Sequence, residues 1–248
     1  MPNSLESRAD ATRCAVCPIR ERALFQVVPI DYINDAESKR TDQYLLQARR
    51  HLYEEREPAT MAYTLFEGWM MLYRVHSDGG RQGLRIALPG DFIGYMPPGE
   101  KELHHSAVAI TKATLCGFRQ ADLHNMLDSH PGLATHITRI HTRYMASCQA
   151  AMLGLGRKSA EQRIAYLVAE LYYRLRNRKL IEEDATDMPF PITQEMLGDM
   201  TGLTPVHTNR VMRKLRTDGV ISVARQRLTV HDMPRLMALG EFSNLDVE

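Results

Sequence analysis

Thr193–Arg216 reads TQEMLGDMTGLTPVHTNRVMRKLR, two short helical patterns that meet at Thr201-Gly202-Leu203. A corner that tight between two helices marks a helix-turn-helix, whose second helix enters the major groove of DNA. Thr193 stands where the first helix needs an N-cap, and Met196, Leu197 and Met200 fall on its inward face. Gly202 can take the positive φ that the turn requires. Thr204 caps the second helix, with Pro205 at its first position, where a missing amide proton costs nothing. The outward face then offers Val206, His207, Asn209, Arg210 and Arg213, while Val211 and Leu215 point inward. Gly219 stops the helix. Ile221–Val223 and Leu228–Val230 form a hairpin through Ala224-Arg225-Gln226, a wing whose Arg225 can reach backbone phosphate. A helical hairpin with no DNA role is the competing reading. Caps, glycine turn, basic outer face and wing in one order count against it.

Charge supports the same module only locally. The 248 residues carry 31 Lys plus Arg against 30 Asp plus Glu, so the net charge of +1 gives no global argument for nucleic acid. Between Thr204 and Arg227, however, Arg210, Arg213, Lys214, Arg216, Arg225 and Arg227 face Asp218 alone, the local excess that neutralises phosphates. With 44% hydrophobic and 25% charged residues the composition is that of a soluble globular protein. No signal pattern and no membrane-length apolar run is visible, so a cytoplasmic protein with no membrane partner is expected. In a reducing cytoplasm Cys14, Cys17, Cys116 and Cys148 are poor candidates for structural disulfides.

The rest of the chain divides by pattern into an N-terminal segment (1–49), a strand-rich part (50–128), a long helix (129–157) and the DNA module (158–248). Tyr63, Leu65, Phe66, Met70 and Leu72 lead into Asp78-Gly79-Gly80, a hairpin signal, after which Leu84, Ile86 and Leu88 alternate with polar residues. Gly90–Gly94 punctuates, and 107–118 supplies two more strands around Lys112. Short strands at this spacing predict a β-barrel or roll, and with the helices an α+β fold. From Pro131 to Gly156, Leu133, Ile137, Ile140, Tyr144, Cys148, Ala151 and Leu155 recur at gaps of three and four, close to a heptad seam. A homodimer seam and packing on the chain's own core both satisfy that stripe. A reader of two half-sites needs the former. Ile164, Leu167, Val168, Leu171 and Leu175 mark a further helix, 159–176, and 177–191 reads as a loop.

A β-roll, a seam helix and a C-terminal winged helix-turn-helix, in that order, resemble the CRP/FNR superfamily of bacterial transcription regulators over residues 14 to 240. Gly90-Asp91-Phe92-Ile93-Gly94 resembles that family's GDFIG segment. Ser159-Ala160-Glu161-Gln162-Arg163-Ile164 is similar to its AEERL signature, and Leu203–Arg210 to the LTPVHVNR recognition helix of one branch. The resemblance implies a cyclic-nucleotide-binding-like β-roll in a homodimer that binds inverted-repeat DNA and touches RNA polymerase. Arg210 matches the guanine-reading arginine, a bidentate donor to O6 and N7. The family's glutamate four residues earlier is Val206 here, which leaves apolar contact at that place and His207 and Asn209 for the other polar reads.

The resemblance also frames the sensor. Cyclic-nucleotide-binding members follow GDFIGE with an arginine–serine pair that clamps phosphate. Here the glutamate position is Tyr95 and the pair is His105-Ser106, so no cyclic nucleotide is expected. Heme ligation by some of the 10 histidines ranks lower still. Cys14-Ala15-Val16-Cys17 is a CxxC pair, a spacing at which two thiolates can grip one metal or cluster. FNR-like proteins hold an oxygen-labile Fe–S cluster with N-terminal cysteines and one on a β-roll strand, and Cys116 fits the latter. The third N-terminal position is Phe25, which cannot ligate iron. A [4Fe–4S] or [3Fe–4S] cluster on Cys14, Cys17 and Cys116 is therefore the expectation. Cys148 stands as a fourth ligand, a thiol facing its mate, or seam packing. Direct thiol oxidation, a zinc site, and a redox or electron-transfer protein of another class are the alternatives. No nucleophile, base and oxyanion set is visible, so no enzyme is expected.

Overall fold

The computed structural model describes residues 5–7 and 10–243, which fall into two compact units. The first comprises residues up to 74 and 85–141, the second 75–84 and 142 onward.

In the first unit β1 (Glu6–Ser7) precedes short 3-10 turns between Cys14 and Tyr32 and the helix α1 (Ile33–Ser38). The strands follow as β2 (Arg40–Leu46), β3 (His51–Tyr53), β4 (Met61–Glu67), β5 (Met70–Val75), β6 (Arg81–Ala87), β7 (Phe92–Ile93), β8 (Ser106–Ala109) and β9 (Ala113–Arg119). They form a five-stranded sheet in the order β1-β2-β9-β4-β7 and a four-stranded one in the order β3-β8-β5-β6. The Asp78-Gly79-Gly80 turn joins β5 to β6 as its residues predict.

Alternation along β9 decides what lies on each face, because successive side chains point oppositely. Leu115 packs with Leu46, Leu52, Leu65, Met70 and Leu72 in one apolar cluster. Its neighbours Cys116 and Phe118 pack with Leu24, Phe25, Ile33, Leu123, Leu133 and Ile137 in another. The second cluster draws on the N-terminal turns and on two helices, α2 (Gln120–Ser129) and α3 (Pro131–Arg157).

Two boundaries differ from the sequence reading. β2 lies inside the segment assigned as 1–49, yet pairs with β9 along its length apart from a register shift between Arg40 and Asp42, with Gln43 opposite Cys116. Its polar first half, Arg40–Gln43, hides the strand signal. The seam also divides. Leu133 and Ile137 are buried in the chain's own core and Ile140 packs against it, whereas Cys148, Ala151 and Leu155 are exposed. The exposed apolar line in the second half of α3 is Met145, Cys148, Met152 and Leu155.

In the second unit α4 (Ala160–Asn177) starts on a complete capping box, Ser159 with Gln162, and buries Ile164, Leu167, Val168, Leu171 and Leu175. Residues 177–191, read as a loop, contain β10 (Asp187–Pro189). It is followed by α5 (Gln194–Thr201), α6 (Pro205–Thr217), β11 (Ile221–Ala224), β12 (Arg227–Val230) and α7 (Met233–Gly240). β10 adds to the wing as an edge strand in the order β10-β12-β11, where its Pro189 is tolerated. Three residues are too few for periodicity to reveal.

Candidate nucleic-acid interface

The helix-turn-helix is built as its sequence dictates. Thr193 Oγ1 accepts from Met196 N–H at 3.2 Å, and Thr204 Oγ1 from His207 N–H at 3.3 Å. Gly202 sits at φ +64°, and Leu203 N–H closes onto Gly198 carbonyl at 3.0 Å. Leu197, Val211 and Leu215 are buried, while Met196 and Met200 are only half-buried. Arg163 of α4 fixes the corner from outside, its Nη1 donating to Thr201 carbonyl at 2.7 Å. That contact escaped the sequence, because it joins residues 38 apart.

The cations of this unit sort into two groups. Lys214 is held by Glu161 and Asp218, both at 2.8 Å, and Arg227 is paired with Asp187. They serve the fold. Arg210, Arg213, Arg216 and Arg225 are exposed and have no carboxylate partner among the described residues. Val206 is 82% exposed beside Arg210, one helical turn away. A cluster of unpaired guanidiniums around an exposed apolar side chain suits a groove lined by phosphates, base edges and thymine methyls.

The other residues singled out for DNA have more local duties. Thr204 and Pro205 shape the start of α6, and His207 is half-buried. Asn209 Nδ2 donates to Gln194 Oε1 at 3.0 Å, which orients its amide before any ligand arrives. Arg225 and Gln226 form the two-residue turn of the wing, both at positive φ (50° and 59°), as a tight hairpin turn demands.

In the β-roll, the positions that correspond to a nucleotide clamp are spent internally. His105 Nε2 lies 2.9 Å from Tyr53 hydroxyl, and burial pushes the imidazole down to about 4. Ser106 Oγ accepts from Glu55 N–H at 2.9 Å, and Glu55 is paired with Arg74. Tyr95 is buried with its ring against Phe92, His124 and His141. Asp91 of the Gly90–Gly94 segment caps its own turn, accepting from Leu88 N–H at 2.8 Å.

Three of the four cysteines are brought to one place. Cys14 and Cys17 bracket a 3-10 turn closed by Cys17 N–H to Cys14 carbonyl at 3.3 Å. Buried Cys116 accepts from Gln43 Nε2 at 3.6 Å. Arg40, which no motif singles out, is their common cation. Its Nη1 lies 3.9 Å from Cys14 Sγ, and its charge bears on all three thiols. Burial nevertheless dominates, raising all three, with Cys14 pushed up to about 11. Phe25, at the missing ligand's position, is a core residue, edge-on to Phe118 at 5.1 Å. Cys148 is exposed on α3, in the second unit.

This arrangement is not a closed donor set. Among the described residues no three His, Cys, Asp or Glu side chains converge to hold a metal ion, and the guanidinium of Arg40 lies against Cys14. As placed, the residues do not fit an Fe–S cluster. A cluster would need Arg40 to withdraw and a further donor to enter.

The comparisons with known proteins agree with this architecture. Residues 162–239 match the model of the Crp-like helix-turn-helix domain, and 45–130 that of the cyclic nucleotide-binding domain. The transcriptional activatory protein AadR of Rhodopseudomonas palustris is 30% identical over 92% of this chain and 93% of its own length. The chain belongs to the CRP/FNR family of transcription regulators. The nitrogen fixation regulation protein FixK of Bradyrhizobium diazoefficiens is 29% identical over 92% of this chain and 93% of its own. The solved structure of FixK2 from Bradyrhizobium japonicum superposes with a TM-score of 0.73 at 25% identity, covering 81% of this chain and 98% of that one. This CRP/FNR protein is thus a DNA-binding regulator, and its relatives are regulators rather than enzymes. Among the described residues no helix is long and apolar enough to cross a membrane.

Proposed function

We propose that this CRP/FNR regulator binds inverted-repeat duplex DNA as a homodimer and reads a guanine in each half-site with Arg210. It then acts on transcription through RNA polymerase. The observation that carries this reading is the sorting of cations on α6. Lys214 is neutralised within the fold, while Arg210 and Arg213 stand unpaired beside exposed Val206. The homodimer is supported by Met145, Cys148, Met152 and Leu155, exposed at gaps of three, four and three, the spacing two parallel helices share. Sedimentation of the protein with and without DNA tests the stoichiometry. Two chains per duplex is the expected result, and one chain per duplex overturns it.

The signal is oxygen or redox state, received at Cys14, Cys17 and Cys116. Support comes from the gathering of the Cys14/Cys17 pair and the sequence-distant Cys116 around one cation. Iron–sulfur ligation and reversible thiol oxidation are the two forms of this proposal. Both require the site to open, the first to admit a further donor and the second to relieve the burial that holds the three thiols protonated. Anaerobic iron and sulfide analysis separates them. Metal-free protein whose DNA binding is unchanged by air and by peroxide contradicts both.

A further inference from the structure

The joint between α3 and α4 is two residues long, Lys158 and Ser159, and lies in the second unit with the second half of α3. Each residue is tied to one of the helices. Lys158 N–H still donates to Gly154 carbonyl at 3.0 Å in the last turn of α3, and Ser159 belongs to the capping box that opens α4. The side chain of Lys158, only 9% exposed, then reaches the end of α7. Its Nζ donates to Gly240 carbonyl at 2.6 Å, lies 3.9 Å from Glu241 Oε2 and stands 4.5 Å over the ring of Tyr166 in α4. A lysine so far out of water needs such partners, and the last carbonyls of a helix need donors.

The end of α7 is in turn fastened to α4. Gly240 lies flush on it, since a Cβ there would come within 2.7 Å of Tyr166 N. Phe242 is buried, its ring 5.5 Å from that of Tyr166 and 5.2 Å from that of Tyr173. Gln162 joins the same pieces, its Nε2 donating to Glu241 Oε1 at 3.0 Å while its Oε1 accepts from Ser159 N–H at 2.8 Å. α6 is carried on α4 as well, through the Lys214–Glu161 pair and the bond from Arg163 to the turn. These helices therefore move as one piece, and Lys158 holds the last turn of α3 to it. We propose that this contact is a latch on the α3–α4 joint. It holds the exposed seam of α3 at a fixed angle to the recognition helix, and so sets the separation of half-sites that a dimer bridges. This rests on the reading of α3 as the homodimer seam and of α6 as the DNA-facing helix. A joint left free would have to be ordered when both half-sites bind, a cost that the latch removes in advance.

The test uses the full-length protein and three duplexes: the inverted repeat that the wild type selects from random DNA, the same repeat with its half-sites moved apart by inserted base pairs, and a single half-site. Affinities are compared for wild type, Lys158→Met, Lys158→Arg and Glu241→Lys, with thermal melting and sedimentation as checks on folding and dimer fraction. Lys158→Met keeps an aliphatic stem against Tyr166 and removes the donor. It should bind the single half-site as the wild type does, lose about tenfold on the selected repeat, and discriminate less against the lengthened one. Lys158→Arg keeps a cationic donor over the ring and should recover most of the loss. Glu241→Lys, at an exposed position, sets a second cation against Lys158 and should release the latch in the same pattern without disturbing the core. A folded, dimeric Lys158→Met or Glu241→Lys that discriminates between the two spacings as sharply as the wild type overturns the proposal, and so does an equal loss on the single half-site. If the wild type gains nothing from the second half-site, the homodimer reading itself fails. A wild-type preference for the repeat that both variants retain refutes the latch alone.

Discussion

Replacing Gly202 by alanine tests whether the turn sets the position of the recognition helix. The residue sits at φ +64°, ψ +39°, a left-handed conformation that costs a residue with a Cβ about 1–2 kcal/mol. A Cβ there would lie 2.9 Å from Leu155 Cδ2 and 3.3 Å from Arg163 Nη1. Leu155 is exposed and can swing aside. Arg163 has less freedom, since that same nitrogen holds Thr201 carbonyl at 2.7 Å. Weakening this charge-assisted bond adds about 1 kcal/mol, a fraction of its full worth. Together the two effects destabilise by about 2–3 kcal/mol, partly offset by the alanine chain's smaller unfolded-state entropy. Urea denaturation should show the midpoint falling with an unchanged m-value. Asparagine at the same position separates the causes. It tolerates the left-handed conformation, so it should recover part of the loss if the backbone dominates, and little if the crowding of Arg163 does. An alanine variant as stable as the wild type would refute the argument.

Three further outcomes follow from particular side chains. His105 is pushed down to about 4 by burial, so between that value and its ordinary 6.5 the unfolded chain binds the extra proton. Stability should therefore be full above pH 6.5 and fall as the pH drops toward 4, by up to about 3 kcal/mol; His105→Gln should flatten this limb in urea titrations. In metal-free protein at pH 7.5, Cys14, pushed up to about 11, should alkylate about a hundredfold more slowly than an ordinary thiol. Exposed Cys148 should be the first labelled, as peptide mass mapping would show. Replacing Met152 by Glu, in the exposed line of α3, should lower the dimer fraction in sedimentation while leaving the melting curve of the monomer unchanged.

The DNA module was almost wholly legible because its signals are local. Capping oxygens, a glycine turn and a helix face need no knowledge of distant contacts, and Thr193, Gly202, Thr204 and Gly219 all act within four residues of themselves. What the sequence concealed depends on distance. β2 begins with four polar residues and becomes a strand by pairing with β9, about 70 residues away. Arg40 is unremarkable until Thr12 carbonyl, at 2.6 Å, orients it toward Cys14. Arg216 is legible as one of the local excess of cations. That it has no carboxylate partner among the described residues is not. The apolar stripe of α3 was visible, but periodicity alone could not divide it between the chain's own core and a face open to solvent.

The most direct test of the central claim is selection of binding sites from random duplex DNA, run in parallel with the wild type and Arg210→Ala. Arg210 is exposed and unpaired, so its loss should leave folding unchanged within about 0.5 kcal/mol. Discrimination at one base pair of each half-site should fall by about 1–3 kcal/mol. The wild type should enrich a two-fold symmetric site with a guanine at a fixed place in each half, and the variant the same site with that position relaxed. Enrichment of no site by the wild type, or an identical guanine preference in Arg210→Ala, would contradict it.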